Sequence, residues 1–439
     1  MGKDKIGVGI IGFGTVGTGT AKILLENRNI LSERTGFDIV LKRIADKDTL
    51  RDRGVKLPEG ILTPDAGEVF KDPDIDIVVE LVGGIHPAKD FILRAISDKK
   101  HVVTANKALL ATEGNEIFRE AAGHGVEVGF EASVAGGIPI IKVIREGLVA
   151  NHMVAIYGII NGTSNYILTK MTDEKVEFSE ALRDAQRLGY AESDPTFDIE
   201  GIDSAHKLTI LSSLAYGIPL SFEAVYKEGI TKITSQDIEF AAELGYKVKL
   251  LAITKASNGE VEMRVHPTMI PNEYMISKVD GVFNAVYVEG DAVGSTLYYG
   301  RGAGDMPTGS AVVADIVDIG RNIVAGGIGR VKGIQSGGGK EKQYRKIRKM
   351  EDIKSMYYFR FSALDKPGVL SNISGILGNY NISIASVIQK GRRLGGSVPL
   401  VVLTHRAKER DVLNAVKEID NLPVVSEKTL FIRVEGKEE

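Results

Sequence analysis

Ile6-Gly-Val-Gly-Ile-Ile-Gly-Phe-Gly-Thr-Val-Gly17 is the stretch whose reading decides the fold. Ile6 to Ile11 is a short apolar run that ends in Gly-Phe-Gly, which reads as a buried strand meeting a tight turn. From Val16 to Leu25 the apolar residues recur at helical spacing. Gly12, Gly14 and Gly17 therefore form G-x-G-x-x-G directly between a strand and a helix, the context that turns a weak pattern into a strong one. The first glycine permits the turn, the second admits a pyrophosphate close to the backbone, and the third lets the helix pack on its strand. The free N–H groups at the helix start, around Phe13, Thr15 and Val16, suit an anion.

Working outward, strands are expected at Phe37–Ala45, Ile75–Leu81, His101–Thr104 and Val126–Phe130, with helices at Pro87–Ser97 and Leu109–Ala122. Strands alternating with helices imply βαβ units, so residues 1–132 read as an α/β, Rossmann-type doubly wound sheet. A helix at Thr308–Val324, within a returning segment of about 305–330, is expected to pack on this domain. Residues 133–304 read as an α+β substrate-binding and dimerisation domain, with antiparallel strands at Val261–His266 and Val282–Val288. The basic stretch from Ser336 to Lys349 has no apolar face and reads as a linker, 331–355, rather than an anion-binding tail. Residues 356–439 start a fresh βαββαβ pattern, a small split-βαβ sandwich that reads as separable.

Composition narrows the chemistry. The 439 residues carry 55 Lys and Arg against 58 Asp and Glu, a formal charge of −3, which argues against a nucleic-acid partner. The absence of cysteine excludes disulfides, thiolate metal sites, iron–sulfur clusters and a cysteine nucleophile. No apolar run reaches membrane-spanning length and the start lacks a signal-peptide plan, so a cytoplasmic protein without a membrane partner is expected.

At the end of the second strand stands Asp46, whose carboxylate suits both ribose hydroxyls of NAD and repels the 2′-phosphate of NADP. Arg43 and Lys47 flank it and can do the reverse; the balance favours NAD. Asn161-Gly-Thr-Ser-Asn places amide and hydroxyl groups on one turn. Gly189-Tyr-Ala-Glu-Ser-Asp-Pro-Thr-Phe-Asp brings Glu192, Asp194 and Asp198. Asp203 and Lys207 are four apart, hence on one face of a helix, although taken alone that spacing is better explained by an exposed i,i+4 ion pair. Lys107 follows a parallel strand's carboxyl end, where doubly wound sheets bind ligands. Two lysines with nearby carboxylates can bracket a small zwitterion and move the proton that accompanies hydride transfer. His206 and His266 lack partners at metal spacing and read as structural.

These motifs together resemble homoserine dehydrogenase. Gly9-Ile-Ile-Gly-Phe-Gly-Thr-Val-Gly, Val103-Thr-Ala-Asn-Lys-Ala-Leu-Leu and Glu131-Ala-Ser-Val-Ala-Gly-Gly-Ile-Pro look like that family's cofactor and hinge motifs. Ile160-Asn-Gly-Thr-Ser-Asn-Tyr-Ile-Leu, Gly189-Tyr-Ala-Glu-Ser-Asp-Pro and Gly201-Ile-Asp-Ser-Ala-His-Lys are similar to its substrate motifs, and Gly300-Arg-Gly-Ala-Gly-Asp-Met-Pro-Thr to its late glycine loop. The C-terminal module resembles an ACT domain, through Leu364-Asp-Lys-Pro-Gly-Val-Leu and Asn381-Ile-Ser-Ile.

The resemblance implies reversible interconversion of L-homoserine and L-aspartate 4-semialdehyde with NAD or NADP, in threonine and methionine biosynthesis. Lys207 and Lys107 correspond to the catalytic lysines, with Lys207 as first choice for the proton carrier, its pKa lowered by burial and by Lys107. Glu192 and Asp203 correspond to substrate-binding acids, joined by Asp198, Asn161, Gly162, Thr163 and Tyr190. Thr104, Lys107, Gly302 and Gly304 join the glycine loop and Asp46 around the cofactor. A Na+ or K+ site at the hinge maps to Glu131 and the carbonyls of Val134, Gly136 and Ile138. Asp365, Gly368 and Asn381 are the expected contacts of an amino-acid effector, with L-threonine the natural choice; an oligomerisation module without ligand is the alternative. A homodimer or higher homo-oligomer is expected, and a monofunctional chain, since no aspartokinase segment precedes Gly9. The chain departs from the family at Asp46, where arginine is frequent, and in the late loop, where Asp-Met replaces Gly-Asp. Two other functions stay open: a dehydrogenase for another small amino acid, and an amino-acid sensor with a structural dinucleotide.

Overall fold

The computed structural model describes residues 3–327, 329–330, 334, 346–389 and 396–436. Two compact units emerge. The first comprises Met1–Gly162, Asp203–Val225 and Phe283–Arg345; the second comprises Thr163–Ile202, Tyr226–Val282 and Lys346–Glu439. The expected substrate domain, 133–304, is thus shared between them.

In the first unit, β1 (Lys5–Ile11), β2 (Asp38–Ala45), β3 (Leu62–Thr63), β4 (Ile77–Glu80), β5 (His101–Thr104) and β6 (Val128–Gly129) form a parallel sheet in the order β3-β2-β1-β4-β5-β6. Ile10 and Ile11 on β1 and Val78 and Val79 on β4, neighbours that point to opposite faces, are all buried, the mark of a sheet covered on both faces. The strand order reverses between β1 and β4, and the crevice at their carboxyl ends is where such sheets take ligands. The helix Asp305–Val324 does return to this domain. It crosses the Thr15–Glu26 helix so closely that a Cβ on Gly19 would lie 2.1 Å from the Asp305 carbonyl oxygen. The same unit contains an antiparallel sheet of Met153–Ile159, Phe283–Gly290 and Gly294–Arg301. After the hinge the chain is α-helical only over Ile140–Lys142 and then widens into a π turn, Val143–Gly147. The Arg28–Thr35 helix, which buries no residue, and the two-residue β3 carry no apolar period and escaped the sequence reading.

In the second unit, Tyr246–Ser257 and Glu260–Pro271 pair as a hairpin over Asn258 and Gly259, both at positive φ, as a two-residue primed turn demands. The C-terminal module has the expected βαββαβ order: Lys354–Leu364, Val369–Asn379, Ile384–Gln389, Ser397–Thr404, Glu409–Ile419 and Leu430–Val434. Its antiparallel sheet surrounds a core of Tyr357, Phe359, Phe361 and Leu377. It is not separable as expected. Its last strand pairs with Glu260–Pro271 through Thr268 opposite Arg433 and Met269 opposite Val434. Buried charges cross the same seam: Arg264 Nη2 donates to Glu435 at 2.6 Å, Arg433 Nη1 to Glu228 at 2.7 Å, and Arg360 Nε to Asp237 at 2.6 Å.

The linker boundary also needs correction. Residues 336–345 lie outside the described residues, but Lys346–Ile347 pairs with Glu260–Val261, and Arg348 bridges Glu260 and Glu262 at 2.9 and 2.7 Å. Alternating charges that looked like a solvated tether have partners on a strand about 86 residues earlier.

Candidate active site

The glycine loop has the shape its sequence implies. Gly12 has φ 102°, and a Cβ there would come within 2.6 Å of the Leu81 carbonyl carbon at the end of β4. A Cβ on Gly17 would lie 2.2 Å from the Gly12 oxygen, whereas one on Gly14 would meet nothing within 4 Å. The middle glycine therefore faces open space while the outer two hold the turn. The helix begins at Thr15 with Gly14 as its cap residue, and no side chain caps it, which leaves the N–H groups of Thr15, Val16 and Gly17 suited to a pyrophosphate. These residues fit a dinucleotide.

Asp46 stands at the end of β2 as expected, but its carboxylate is already engaged. Oδ2 accepts the Phe13 N–H at 2.6 Å, and Oδ1 accepts the Asp48 N–H at 2.9 Å and Arg53 Nη2 at 3.4 Å. Arg43 turns away, donating to the Gly60 carbonyl at 2.6 Å. On the other side of the crevice, buried Glu80 accepts the Thr104 hydroxyl at 2.7 Å and the Val82 and Gly83 N–H groups at 2.8 and 3.2 Å. Asn106 caps the Lys107–His124 helix through the Leu109 N–H at 3.1 Å and donates to Gly84 at 2.6 Å. Glu80, Asn106 and Arg53 were missed from sequence. A charge ending an apolar strand, and an Asn before a helix, were the signals for the first two.

Lys107, Asp203, Lys207 and Asn161 come together. Lys207 lies one turn beyond Asp203 on the Ile202–Tyr216 helix, and its Nζ donates to Asp203 Oδ2 at 2.7 Å and to the Ile160 carbonyl at 2.6 Å. Asn161 Nδ2 donates to the same carboxylate oxygen at 2.9 Å, and Lys107 Nζ lies 3.0 Å from Oδ1. Asp203 and Lys207 are buried, whereas the Lys107 side chain is 42% exposed. The exposed i,i+4 pair that the spacing alone favoured is thus not what forms. Burial alone would raise the Asp203 carboxyl, but Lys207 and then Lys107 outweigh it and hold the group well below the usual carboxylate range. One carboxylate bridges two ammonium groups, one enclosed and one facing solvent.

Thr163, Tyr190, Asp198 and Glu192 belong to the second unit. There the Thr163 hydroxyl donates to the Tyr190 carbonyl at 2.7 Å, the Ser164 hydroxyl to the Asp198 carbonyl at 2.8 Å, and Tyr166 packs on Tyr190 at 4.9 Å between ring centroids. The turn that follows Asn161 and Gly162 is thereby tied to the 190–198 loop, on which Glu192 is exposed.

The hinge and late glycine loops touch. A Cβ on Gly136, at φ 55°, would lie 2.4 Å from the Gly302 oxygen, and the Gly137 N–H donates to the Arg301 carbonyl at 3.1 Å. Gly304, at φ 123°, caps the Asp305–Val324 helix. Glu131 is buried, its two carboxylate oxygens accepting the Ile141 and Lys142 N–H groups at 2.8 and 2.9 Å. The Ile138 carbonyl accepts from Ile140 at 2.8 Å. Two of the expected cation ligands, Glu131 and Ile138, thus also hold the backbone, and Val134 lies buried beside them. No group of three or more His, Cys, Asp or Glu capable of holding a metal occurs among the described residues.

In the C-terminal module, Gly368 at φ 89° starts the 11-residue Val369–Asn379 helix, just after Asp365, and Asn381 follows its far end. At 1.5 Å per residue the helix alone separates them by roughly 16 Å. Asp365 and Gly368 thus stand at one end of this helix and Asn381, at φ 57°, at the other. The two histidines are structural: His206 stacks on Phe222 at 4.3 Å, and His266 lies fully buried, hydrogen bonded to Arg264 at 2.8 Å.

A doubly wound sheet with a pyrophosphate-shaped loop, beside a lysine–carboxylate–lysine cluster, defines a dinucleotide-dependent oxidoreductase. Three family models match in succession: the homoserine dehydrogenase NAD-binding domain over residues 12–131, homoserine dehydrogenase over 139–317, and the ACT domain over 357–424. Homoserine dehydrogenase from Neisseria gonorrhoeae is 47% identical, covering 98% of this chain and 99% of that one. The crystal structure of a homoserine dehydrogenase from Thiobacillus denitrificans is 49% identical with a TM-score of 0.93, covering 99% of both chains. A hyperthermophilic archaeal homoserine dehydrogenase in complex with NADPH is 26% identical, with a TM-score of 0.61, over 72% of this chain and 97% of that one. The chain belongs to the homoserine dehydrogenase family and ends in an ACT domain.

Proposed function

We propose that the chain interconverts L-homoserine and L-aspartate 4-semialdehyde, with Lys207 moving the hydroxyl proton. The observation that carries this reading is the Lys107–Asp203–Lys207 cluster, with Lys107 directly after β5. The dinucleotide supplies the hydride acceptor. Lys207 Nζ, held between Asp203 and the Ile160 carbonyl, is placed to accept that proton in the oxidation and to return it in the reduction. Asp203 holds both lysines in place and with Asn161 suits the substrate's ammonium and hydroxyl groups; in the second unit, Glu192 and Asp198 are the acids that the family resemblance assigns to the substrate. Gly162, Thr163 and Tyr190 shape the turn that carries them. Oxidation of the alcohol then places its hydroxyl proton on the lysine, and reduction of the aldehyde takes it back; a bound dinucleotide would take up or return the accompanying hydride.

NAD is the favoured cofactor through Asp46, and the NADPH complex of the archaeal relative is the reason to test both. Na+ or K+ at Glu131, Val134, Gly136 and Ile138 would brace the hinge. An amino acid, L-threonine first, would act through the ACT loop at Asp365 and Gly368, in a cytoplasmic homodimer or larger homo-oligomer. No helix among the described residues is long and apolar enough to cross a membrane.

Initial rates with L-homoserine and either NAD or NADP, with and without L-threonine, test the reading. Cofactor reduction supports it, and a threonine response gives the ACT domain its role. A folded protein that binds threonine tightly and reduces neither cofactor would favour the sensor instead.

A further inference from the structure

We propose that Arg433, on the last strand of the C-terminal module, is a positioning residue for substrate binding. Through Glu228 it sets the turn that carries Asp198, so affinity for homoserine depends on the module before any effector binds. This rests on the dehydrogenase reading above, in which Asp198 and Glu192 meet the substrate. Arg433 is buried, and within the module its Nε donates to one Glu409 oxygen at 3.0 Å and its Nη2 to the other. The Tyr357 hydroxyl donates to the same carboxylate at 2.6 Å. Outside the module, Nη1 donates to Glu228 at 2.7 Å and Nη2 to the Tyr226 hydroxyl at 3.1 Å, while that hydroxyl donates to Glu228 at 3.0 Å. One planar guanidinium, its donors fixed as a fork, therefore ties the Glu409–Ile419 helix to the short strand Tyr226–Lys227, which pairs alongside Arg264 and Val265.

The residues directly after that strand press on the substrate loop. The Glu228 N–H donates to the Val265 carbonyl at 2.9 Å, and the Ile230 N–H to the Ile199 carbonyl at 2.9 Å. Between them, a Cβ on Gly229 would lie 2.4 Å from the Ile199 oxygen and 2.7 Å from the Glu200 Cα. The two backbones touch with no space for a methyl group. Ile199 ends the helical turn Thr196–Ile199, in which Asp198 stands, and the Asp198 carbonyl accepts the Ser164 hydroxyl at 2.8 Å. Packing at this density transmits a shift rather than absorbing it. A Glu228 released from Arg433 therefore moves the backbone at 228–230, and with it the turn of Asp198. The Arg360–Asp237 pair crosses the same seam but holds the start of the Ser235–Glu243 helix instead, which makes it the control.

The test is steady-state turnover of L-homoserine at saturating dinucleotide, with NADH affinity and urea stability, for Glu228→Gln, Gly229→Ala and Arg360→Gln in the full chain. Arg433 itself is kept, because its loss would leave the buried Glu409 without a counter-charge. Glu228→Gln preserves shape and removes the charge that Arg433 faces. It should raise the KM for homoserine about tenfold, the size of one lost charge-assisted hydrogen bond, with kcat and the Kd for NADH within about twofold of wild type. Gly229→Ala pushes the turn directly and keeps every contact of Arg433; it should raise KM by as much. Arg360→Gln should lower urea stability and leave KM within about twofold. A KM in Glu228→Gln no higher than in Arg360→Gln would show that Arg433 only fastens the seam and overturns the proposal. An unchanged KM in Gly229→Ala overturns it too, as does a fall in kcat and NADH affinity that matches the rise in KM. These outcomes leave the dehydrogenase reading intact, whereas a folded wild-type protein that does not turn over homoserine would remove both.

Discussion

Asp203 and Lys207, one helical turn apart, meet at 2.7 Å with both side chains more than nine-tenths buried. On a solvated helix that spacing is worth about 0.2–0.5 kcal/mol. In an enclosed setting the carboxylate's removal leaves the Lys207 ammonium without its compensating charge, which typically costs about 3–5 kcal/mol. Asp203→Asn should therefore lower both turnover and stability. The pH dependence identifies the cause. The folded pKa of Asp203 is depressed, so its contribution is present above the unfolded value near 3.9 and lost as pH falls toward the folded one. The stability gap between wild type and Asp203→Asn should be constant from about pH 8 to 5 and close below about pH 4. Urea unfolding across that range measures it; a gap independent of pH would contradict the assignment.

Asp315 should show the opposite sign. It is buried against Gly129 and accepts the Glu131 N–H at 2.7 Å; burial and then the Glu131 charge push its carboxyl up to about 7. A raised acid contributes fully below its unfolded pKa and loses that contribution as pH rises through the folded one. Asp315→Asn keeps an acceptor for the N–H and removes the charge. It should be near neutral at pH 4 and stabilising, on the order of a few kcal/mol, at pH 8. Thermal unfolding at both values decides it, and equal shifts at the two would count against a titrating Asp315.

Gly17→Ala tests the shape of the cofactor loop. The added Cβ would meet the Gly12 oxygen at 2.2 Å, so the turn must open. NADH affinity should fall at least about tenfold, a shift of only 1.4 kcal/mol, with the ACT core unaffected. Unchanged NADH binding by calorimetry would mean that the loop does not hold the pyrophosphate.

Removal of the C-terminal module should destabilise what remains. Without it Arg264 loses Glu435, and Asp237, fully buried at the start of the Ser235–Glu243 helix, loses Arg360 and Tyr358. A chain ended at residue 345 should unfold at markedly lower urea than the full chain, even before any effector is considered. Equal stability of the two would restore the picture of a separable domain.

Much of this was legible in the sequence, for identifiable reasons. β1 and β4 are short apolar runs with glycines just beyond their carboxyl ends, and β5 has the very ends expected. Asp203 and Lys207 share a face by periodicity alone. What could not be read were contacts between distant residues. Arg53 reaches Phe13 across 40 positions and Thr104 reaches Glu80 across 24. The seam between the ACT sheet and Glu260–Pro271 joins residues more than 160 apart, and each side reads as a complete domain by itself. Gly136 and Gly302 likewise carry no sign in the sequence that the first is small to clear the Gly302 oxygen and the second to clear Asn284.

The most direct measurement is steady-state turnover of L-homoserine by Lys207→Met and Lys107→Met, beside calorimetric NADH affinity and urea stability for each. General acid–base groups contribute roughly 10²–10⁴-fold. Lys207→Met should lose turnover within that range while binding NADH within about threefold of wild type, and Lys107→Met should lose less. Turnover by Lys207→Met within a few-fold of wild type, in a folded protein, would contradict the proton-carrier role on which the account rests.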